Sequence, residues 1–413
     1  MSPVSQAVQA VTDPVLAGQP SCTISCIGEL RGSHPHLGLA PLKLRSGRKQ
    51  HMPREALYVG IDYYQDPGRG LTRCETDARD IARLLAQNHE ASPVGIQNWT
   101  PASRAVLSSA HQAVVSEAAI NREITKALRA ARAGDFLFFF AGHGVPTQNG
   151  LLLASADDNP AGERKGVYVR DLLEKIESSN VTSATIILDC CYAGLATQET
   201  LSAGVCILAS TGPNDLAREP GMAGHSAFAQ LLLEGLGAAA DGSSPSADPL
   251  GQITALSLFS FISTTMDLRS DGQNPVFAGR VERPTPLRWA KGAVSLDDLR
   301  RLVDPPFVLE DGRWVPGESR MFPESTAKFE LEPDHEAPDG RDRDKDVTLD
   351  DLNPKQLEME YFKRLRNAGL AVFDSKGGLP DLYHAVKNRG VAKLTASGQY
   401  FWRAVTEDRL KVF

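Results

Sequence analysis

The sequence lacks most of what marks a secreted, membrane-spanning or nucleic-acid-coating chain. Its 413 residues hold only 6 cysteines, two of them adjacent, too few for a disulfide scaffold. A reducing, cytoplasmic setting fits better. Basic charge is in deficit: 44 Lys+Arg against 51 Asp+Glu leaves a net charge of −7. That argues against a globally basic nucleic-acid binder, though not against a local basic module. No basic start leads into an apolar stretch, so no signal peptide is expected. Long apolar runs are missing too. The most apolar segment, Ile253–Ile262, is broken by Thr and Ser, and Ala184–Leu188 falls far short of the roughly 20 residues a spanning helix needs. No membrane partner is expected. What remains is a chain with 42% hydrophobic residues, enough to bury a core, and a length fitting two or three domains at about 150 residues each.

Four stretches differ in texture. Residues 1–54 scatter Pro, Gly and Ser without a sustained period and end in the basic stretch Lys43–Arg54. This reads as a disordered tail, with a pro-segment or docking arm as the functional alternative. Cys22, Cys26, His34 and His36 sit too close together in a Gly/Pro-rich tail to read as a zinc site. Residues 55–280 alternate strand and helix patterns. Ala56–Tyr63, Asp135–Phe140, Ala184–Asp189 and Val205–Ser210 read as strands. Cys74–Gln87, Asn121–Ala133, Val169–Ser178, Ser226–Leu236 and Leu250–Met266 read as helices. That alternation predicts a mostly parallel sheet covered on both faces. Residues 281–355 are Pro-rich and charged, with only a short helical hint at Ser295–Val303, and read as a linker. Asp342, Asp344 and Asp346 imitate the start of a calcium loop, but Val347 stands where Gly is needed and Asn353 where Glu is needed. Residues 356–413 regain order, with helices at Gln356–Ala368, Leu379–Lys387 and Ser397–Leu410 and a short strand at Val391–Leu394. This α-rich module resembles a small winged helix.

Two strand ends carry chemistry. Phe138–Gly144 runs Phe-Phe-Phe-Ala-Gly-His-Gly, and Ile186–Gly194 runs Ile-Ile-Leu-Asp-Cys-Cys-Tyr-Ala-Gly. In a parallel α/β sheet, reactive groups sit at the carboxyl ends of strands. Glycine beside each lets the backbone turn sharply and approach a ligand. A cysteine needs a base to become a good nucleophile, and His143 with Cys191 supplies that pair, 191 − 143 = 48 residues apart. Side chains alternate along a strand, so Asp189 and Cys191 share one rim and Cys190 points to the other. Cys191, followed directly by the Tyr-Ala-Gly turn, is therefore the expected nucleophile and Cys190 a packed core thiol. The bland alternative, a core cysteine and an unrelated histidine, fits poorly with both standing at glycine-flanked strand ends.

These motifs resemble the caspase/metacaspase superfamily, nearest to its prokaryotic metacaspase-like branch. Ala141-Gly142-His143-Gly144 is similar to the family's Ser-Gly-His-Gly. Asp189-Cys190-Cys191-Tyr192-Ala193-Gly194 is similar to Asp-Ser-Cys-His-Ser-Gly. Leu71–Ala78 resembles the Leu-x-Gly-Cys-x-x-Asp-Ala segment, and Gln273-Asn274-Pro275 resembles the Gln-x-Pro near the end of the fold. The resemblance covers roughly residues 55–280. It implies a three-layer α/β/α sandwich and a cysteine endopeptidase in which His143 deprotonates Cys191, Cys191 attacks a peptide carbonyl, and the N–H groups of Cys191 and Gly144 form the oxyanion hole. It further implies that Cys74, Asp77, Ala141 and Asp189 line the primary pocket. Two carboxylates would repel an acidic side chain and pair with a basic one, so cleavage after Arg or Lys is expected, Arg favoured for its planar fork. Asp77 has a plainer alternative as a first-turn helix acid, and Ala141 replaces a pocket Ser. Val205–Glu219 resembles the strand and loop lining the cleft, with Ser210 and Thr211 against the substrate backbone.

Regulation is less readable. Tyr192–Ala217 contains no Lys or Arg, so an enzyme cutting after basic residues cannot mature itself there. Arg218, Arg45, Arg48, Arg54, Arg164, Lys165 and the 281–345 stretch are the candidate sites, with another protease or a bound partner as alternative triggers. The resemblance allows calcium activation, with Asp157 and Asp158 in the right region, but no clear motif supports it. No other cofactor is expected. Lys387, Arg389 and Lys393 leave nucleic-acid contact by the C-terminal module open, beside a role in partner binding or autoinhibition. Caspase-like domains fused to such modules point to bacterial signalling or defence. A caspase-fold adaptor without catalysis, or a thiol transferase on the same fold, are the competing readings.

Overall fold

The computed structural model describes residues 52–89, 98–99, 106–109, 114–217, 224–269, 273–282, 285–311, 313–335, 352–374 and 382–409. The expected tail up to His51 lies outside these, with its Cys/His group, Arg45 and Arg48. So do Arg218 and the Asp342–Asp346 run.

In chain order the first half consists of β1 (Arg54–Ile61), α1 (Cys74–Leu85), β2 (Val106–Ser109), α2 (Glu117–Ala130), β3 (Asp135–Ala141), β4 (Gly144–Thr147), β5 (Gly150–Ala154), β6 (Gly166–Tyr168), α3 (Val169–Glu177) and β7 (Ser183–Asp189). Then come β8 (Val205–Ala209), α4 (Ala227–Gly235), β9 (Gln252–Thr254), α5 (Ala255–Arg269), β10 (Val276–Gly279) and β11 (Pro286–Trp289). Six strands form the central sheet in the order β10-β8-β7-β3-β1-β2, parallel throughout except for β10.

Strand alternation divides the core into two halves. Leu57, Val59, Phe136, Phe138, Phe140, Ile186 and Leu188 face one side, where Ile120, Ile124 and Leu128 of α2 and Val169, Leu172 and Ile176 of α3 cover them. Tyr58, Leu137, Phe139 and Ile187 face the other, under Ala78, Ile81 and Leu85 of α1, Phe228, Leu231 and Leu232 of α4, and Leu258 and Ile262 of α5. The result is a three-layer α/β/α sandwich. Each fully buried Phe or Leu contributes about 1.5–3 kcal/mol of transfer free energy, so patterning at period 2 in strands and 3.6 in helices dictates the layers. Glycine matters at one contact. A Cβ on Gly60 would lie 2.2 Å from the Cys74 carbonyl oxygen, so only glycine lets the N-terminus of α1 press onto the sheet there.

Residues 281–355, expected as a linker, carry regular structure. β11 pairs with β9, Leu287 and Trp289 are buried, and the Trp99 indole donates to the Leu287 carbonyl at 2.6 Å. The Arg288 guanidinium donates to the carbonyls of Leu84, Gln87 and Leu236, satisfying acceptors that the ends of α1 and α4 leave open. Beyond it come α6 (Leu296–Arg300), the hairpin β12 (Phe307–Glu310) and β13 (Arg313–Pro316), and β14 (Lys328–Glu330). The C-terminal stretch adds α7 (Pro354–Asn367), β15 (Ala371–Asp374), α8 (Leu382–Lys387), β16 (Val391–Leu394) and α9 (Ala396–Thr406). The module expected to be α-rich therefore contains an antiparallel sheet, β14-β16-β15, one strand of which comes from the supposed linker. Its core joins Leu299, Phe322 and Leu331 to Phe362, Leu365 and Phe373. Among the described residues no helix is long and apolar enough to cross a membrane.

Candidate active site

The register of two adjacent strands sets the site. In the β3–β7 ladder Ala141 lies opposite Asp189, and the Gly142 N–H still donates to the Asp189 carbonyl. Both strands then end. His143 and Cys191 each stand two residues past this matched pair, so the carboxyl edge of the sheet presents them side by side. The contact is close. A Cβ on Gly144 would lie 2.1 Å from the Cys191 carbonyl oxygen and 2.8 Å from the Cys190 sulfur.

The histidine is held from behind. Its Nε2 lies 2.8 Å from the Arg69 carbonyl oxygen. A carbonyl only accepts, so Nε2 carries the proton and Nδ1 is the basic nitrogen of the neutral ring. The His143 N–H donates to the Tyr64 hydroxyl at 2.9 Å, and the two rings stand 4.7 Å apart. Arg69 lies on a 3-10 turn, Pro67–Arg69, and its guanidinium donates to Asp158, whose side chain has no exposed surface, at 2.7 Å. Asp158 also receives Arg164 at 2.9 Å and the Lys165 N–H at 2.8 Å. Neither Tyr64 nor Arg69 stands out in the sequence, because one acts through a hydroxyl and the other through its backbone.

The cysteine turn is held as firmly. Tyr192 sits at φ +59°, a left-handed conformation that an aromatic residue adopts only when its surroundings require it. Its N–H donates to the Asp215 carbonyl at 2.9 Å, and the Ala193 N–H donates to the Thr211 hydroxyl at 3.0 Å. Cys191 is half-buried, and the Ala217 N–H donates to its sulfur at 3.3 Å. Cys190 is buried in the core beside Leu188, and burial followed by the Asp189 charge pushes its thiol well up.

Ser210 and Thr211, expected against substrate, are corrected. Both are fully buried, and their hydroxyls lie 3.3 and 3.2 Å from the Cys190 carbonyl as donors. They brace the nucleophile's turn, and Gln273 joins them through its amide on the Ser210 carbonyl at 2.8 Å.

The expected pocket residues converge. Gly60, Ala141 and Asp189 form one row across β1, β3 and β7. Close packing of α1 on Gly60 brings Cys74 and Asp77 over that row. Asp77 and Asp189 are buried. Asp62 caps α1, accepting from the Cys74 and Glu75 N–H groups. Burial pushes the Cys74 thiol well up, reinforced by the charges of Asp62, Asp189 and Asp77. Burial raises Asp77, while hydrogen bonds from His225 and Ser226 oppose the rise. Asp189 is pushed up to about 7, by burial first and the Asp77 charge among the rest, against hydrogen bonds from Ser226 and Ser210. Two pocket residues escape sequence reasoning. His225 Nδ1 lies 2.6 Å from Asp77, and the Ser226 hydroxyl donates to Asp189. Ser226 is visible only as the N-cap of α4, and nothing marks His225.

Asp157 and Asp158 do not fit a calcium ion. Asp157 accepts from the Ser155 hydroxyl and the Glu117 N–H, and the Asp158 charge is already met by two guanidinium groups. Among the described residues no group of three or more His, Cys, Asp or Glu side chains converges as a metal site.

The family described as caspase domain matches residues 53–280, more than half of the chain. A solved structure described as caspase-1 from Spodoptera frugiperda is similar at 15% identity and a TM-score of 0.41, covering 60% of this chain and 93% of that one. No curated protein matches.

Proposed function

The chain belongs to the caspase domain family, and from that premise we propose that it is a cysteine endopeptidase that cuts proteins after a basic residue, Arg above Lys. His143 Nδ1 takes the Cys191 proton. The sulfur attacks the peptide carbonyl, and the N–H groups of Cys191 and Gly144 receive the oxyanion. The amine leaves with the proton held on His143, and water then hydrolyses the thioester to release the acyl group and regenerate the thiol. The observation that carries the specificity is the pairing of Asp77 and Asp189, two buried carboxylates beside the nucleophile's strand end. An acidic side chain would meet repulsion there, and a guanidinium would find acceptors for both arms of its fork.

The enzyme is read as latent. The Ala217 N–H rests on the Cys191 sulfur, and both pocket carboxylates already hold protein donors. Two candidate maturation sites are unsuited to cleavage. Arg54 is buried in β1 against Asp135, and the Arg164–Lys165 bond is tied down through Asp158. Activation by a partner, or by cleavage elsewhere, fits better. We divide the chain into a tail, the peptidase region at 55–280, a connecting region and a C-terminal module, and assign it to cytoplasmic signalling or defence. The closed cleft also favours a second reading, a caspase-fold adaptor that binds partners without cutting, which the complete His143/Cys191 pair opposes.

The test is hydrolysis of matched fluorogenic peptides ending in Arg, Lys or Asp, before and after limited trypsin treatment, beside Cys191→Ala. Cleavage after Arg, absent in Cys191→Ala, is expected. Cleavage after Asp would overturn the pocket argument, and no cleavage after trypsin treatment would favour the adaptor.

A further inference from the structure

We propose that His225 is a resident occupant of the acidic pocket, a built-in competitor that a basic side chain must displace in order to bind. The inference rests on the cysteine-peptidase reading above and assigns the group that sets affinity within it.

The imidazole stands between two carboxylates. Nδ1 is 2.6 Å from Asp77 and Nε2 is 3.6 Å from Asp80. The His225 side chain is 21% exposed and the Asp77 side chain 1%, so the ring covers the carboxylate that an incoming cation must reach. The next residue takes the other acid: the Ser226 hydroxyl donates to Asp189, and the Ser226 N–H donates to Asp77 at 3.3 Å. One dipeptide at the start of α4 therefore occupies both halves of the pocket. Its backbone is anchored by Arg73, which donates to the His225 carbonyl at 3.0 Å. On its other side Gly224 has φ +76°, a left-handed conformation that glycine adopts without strain.

Burying two carboxylates is costly unless each is hydrogen-bonded, and the resident donors lower that cost in the empty pocket. A substrate must take those bonds over. A guanidinium replaces the imidazole on Asp77 and the Ser226 hydroxyl on Asp189, exchanging two resident bonds for two charge-assisted ones from a single fork. An ammonium is a point charge on a flexible stem and gains less from the exchange. Neutral side chains cannot displace the ring. The cost of displacing the ring is the same for Arg and Lys, so it sets how tightly basic side chains bind and leaves the preference between them to the acids.

The experiment measures kcat and KM for matched Arg and Lys peptides with wild type, His225→Ala and His225→Arg. A calorimetric titration of the Cys191→Ala forms with agmatine gives a readout independent of turnover. Losing one charge-assisted competitor is expected to lower KM for both peptides about tenfold and to leave the Arg/Lys ratio little changed. Agmatine binding should tighten. His225→Arg, which brings its own guanidinium to Asp77, is expected to weaken binding of both peptides and of agmatine. An unchanged KM for both peptides in folded His225→Ala, or weaker agmatine binding, would overturn the proposal. Should His225→Ala fail to fold, His225→Gln replaces it, with the same direction expected. A wild-type protein that neither cuts basic peptides nor binds agmatine would instead sink the acidic pocket itself.

Discussion

Asp189 shows how much a single residue can reveal about the pocket. Burial disfavours its charged form and Asp77 adds repulsion, so its carboxyl is pushed up to about 7. A neutral carboxyl pairs poorly with a guanidinium. The kcat/KM for Arg peptides is therefore expected to rise as pH rises through about 7, and Asp189→Asn to abolish that limb and cut kcat/KM by roughly a hundredfold, in line with losing a charged hydrogen-bond partner. Stability runs the other way. A carboxyl whose folded value exceeds its unfolded value of 3.8 contributes stability in full below that value, and the contribution is lost as pH rises through about 7. Thermal melts should show Asp189→Asn gaining on wild type at pH 8 by an amount on the order of a few kcal/mol, less at pH 5, and nothing at pH 3. A flat pH profile in wild type would contradict the buried pair. The burial of Cys190 was legible at this scale, because strand alternation alone puts it in the core. The pocket's own donors were not: His225 is a lone histidine in the sequence, and Ser226 reads only as a helix cap.

At the scale of elements, the loop between β1 and α1 does more than connect. Asp158 holds Arg69 from the loop after β5, and the Arg69 carbonyl fixes the His143 ring by accepting from Nε2. An Asp158→Asn protein keeps the shape but gives up the one negative charge that pairs with both Arg69 and Arg164. A displacement of about 1 Å at a reacting group costs on the order of a hundredfold, so a ten- to hundredfold lower kcat with little change in KM is expected in steady-state assays. An unchanged kcat in a folded Asp158→Asn protein would contradict the coupling. The strands and helices that build the sheet were readable because they are long and strongly periodic, as in Asp135–Ala141 and Val169–Glu177. This coupling was not, because Arg69 acts through its backbone and Asp158 lies 89 residues away in sequence. Ser210 and Thr211 failed in the same way: being near the nucleophile suggested contact with substrate, whereas their hydroxyls turn inward to the Cys190 carbonyl.

For the whole molecule, composition separated the compact region from the rest correctly only where periodicity is sustained. The short strands β9, β11 and β14 have three or four residues each, too few to show a period. Proline and charge then dominate the texture of 281–335, although Leu287, Trp289 and Phe322 are buried there. The architecture nevertheless delivers one clear arrangement: the carboxyl edge of the sheet gathers His143, Cys191 and two acids, and the Ala217 N–H lies against the Cys191 sulfur. The central claim is that Cys191 is the nucleophile of an enzyme with a pocket for basic side chains. The most direct measurement is peptide mapping by mass spectrometry after treatment with equimolar peptidyl-Arg and peptidyl-Asp acyloxymethyl ketones, using trypsin-activated protein from which the trypsin has been removed. A single adduct on Cys191 carrying the Arg peptide is expected, with none on Cys190. Labelling by the Asp reagent, labelling of Cys190, or no adduct on Cys191 would contradict the account.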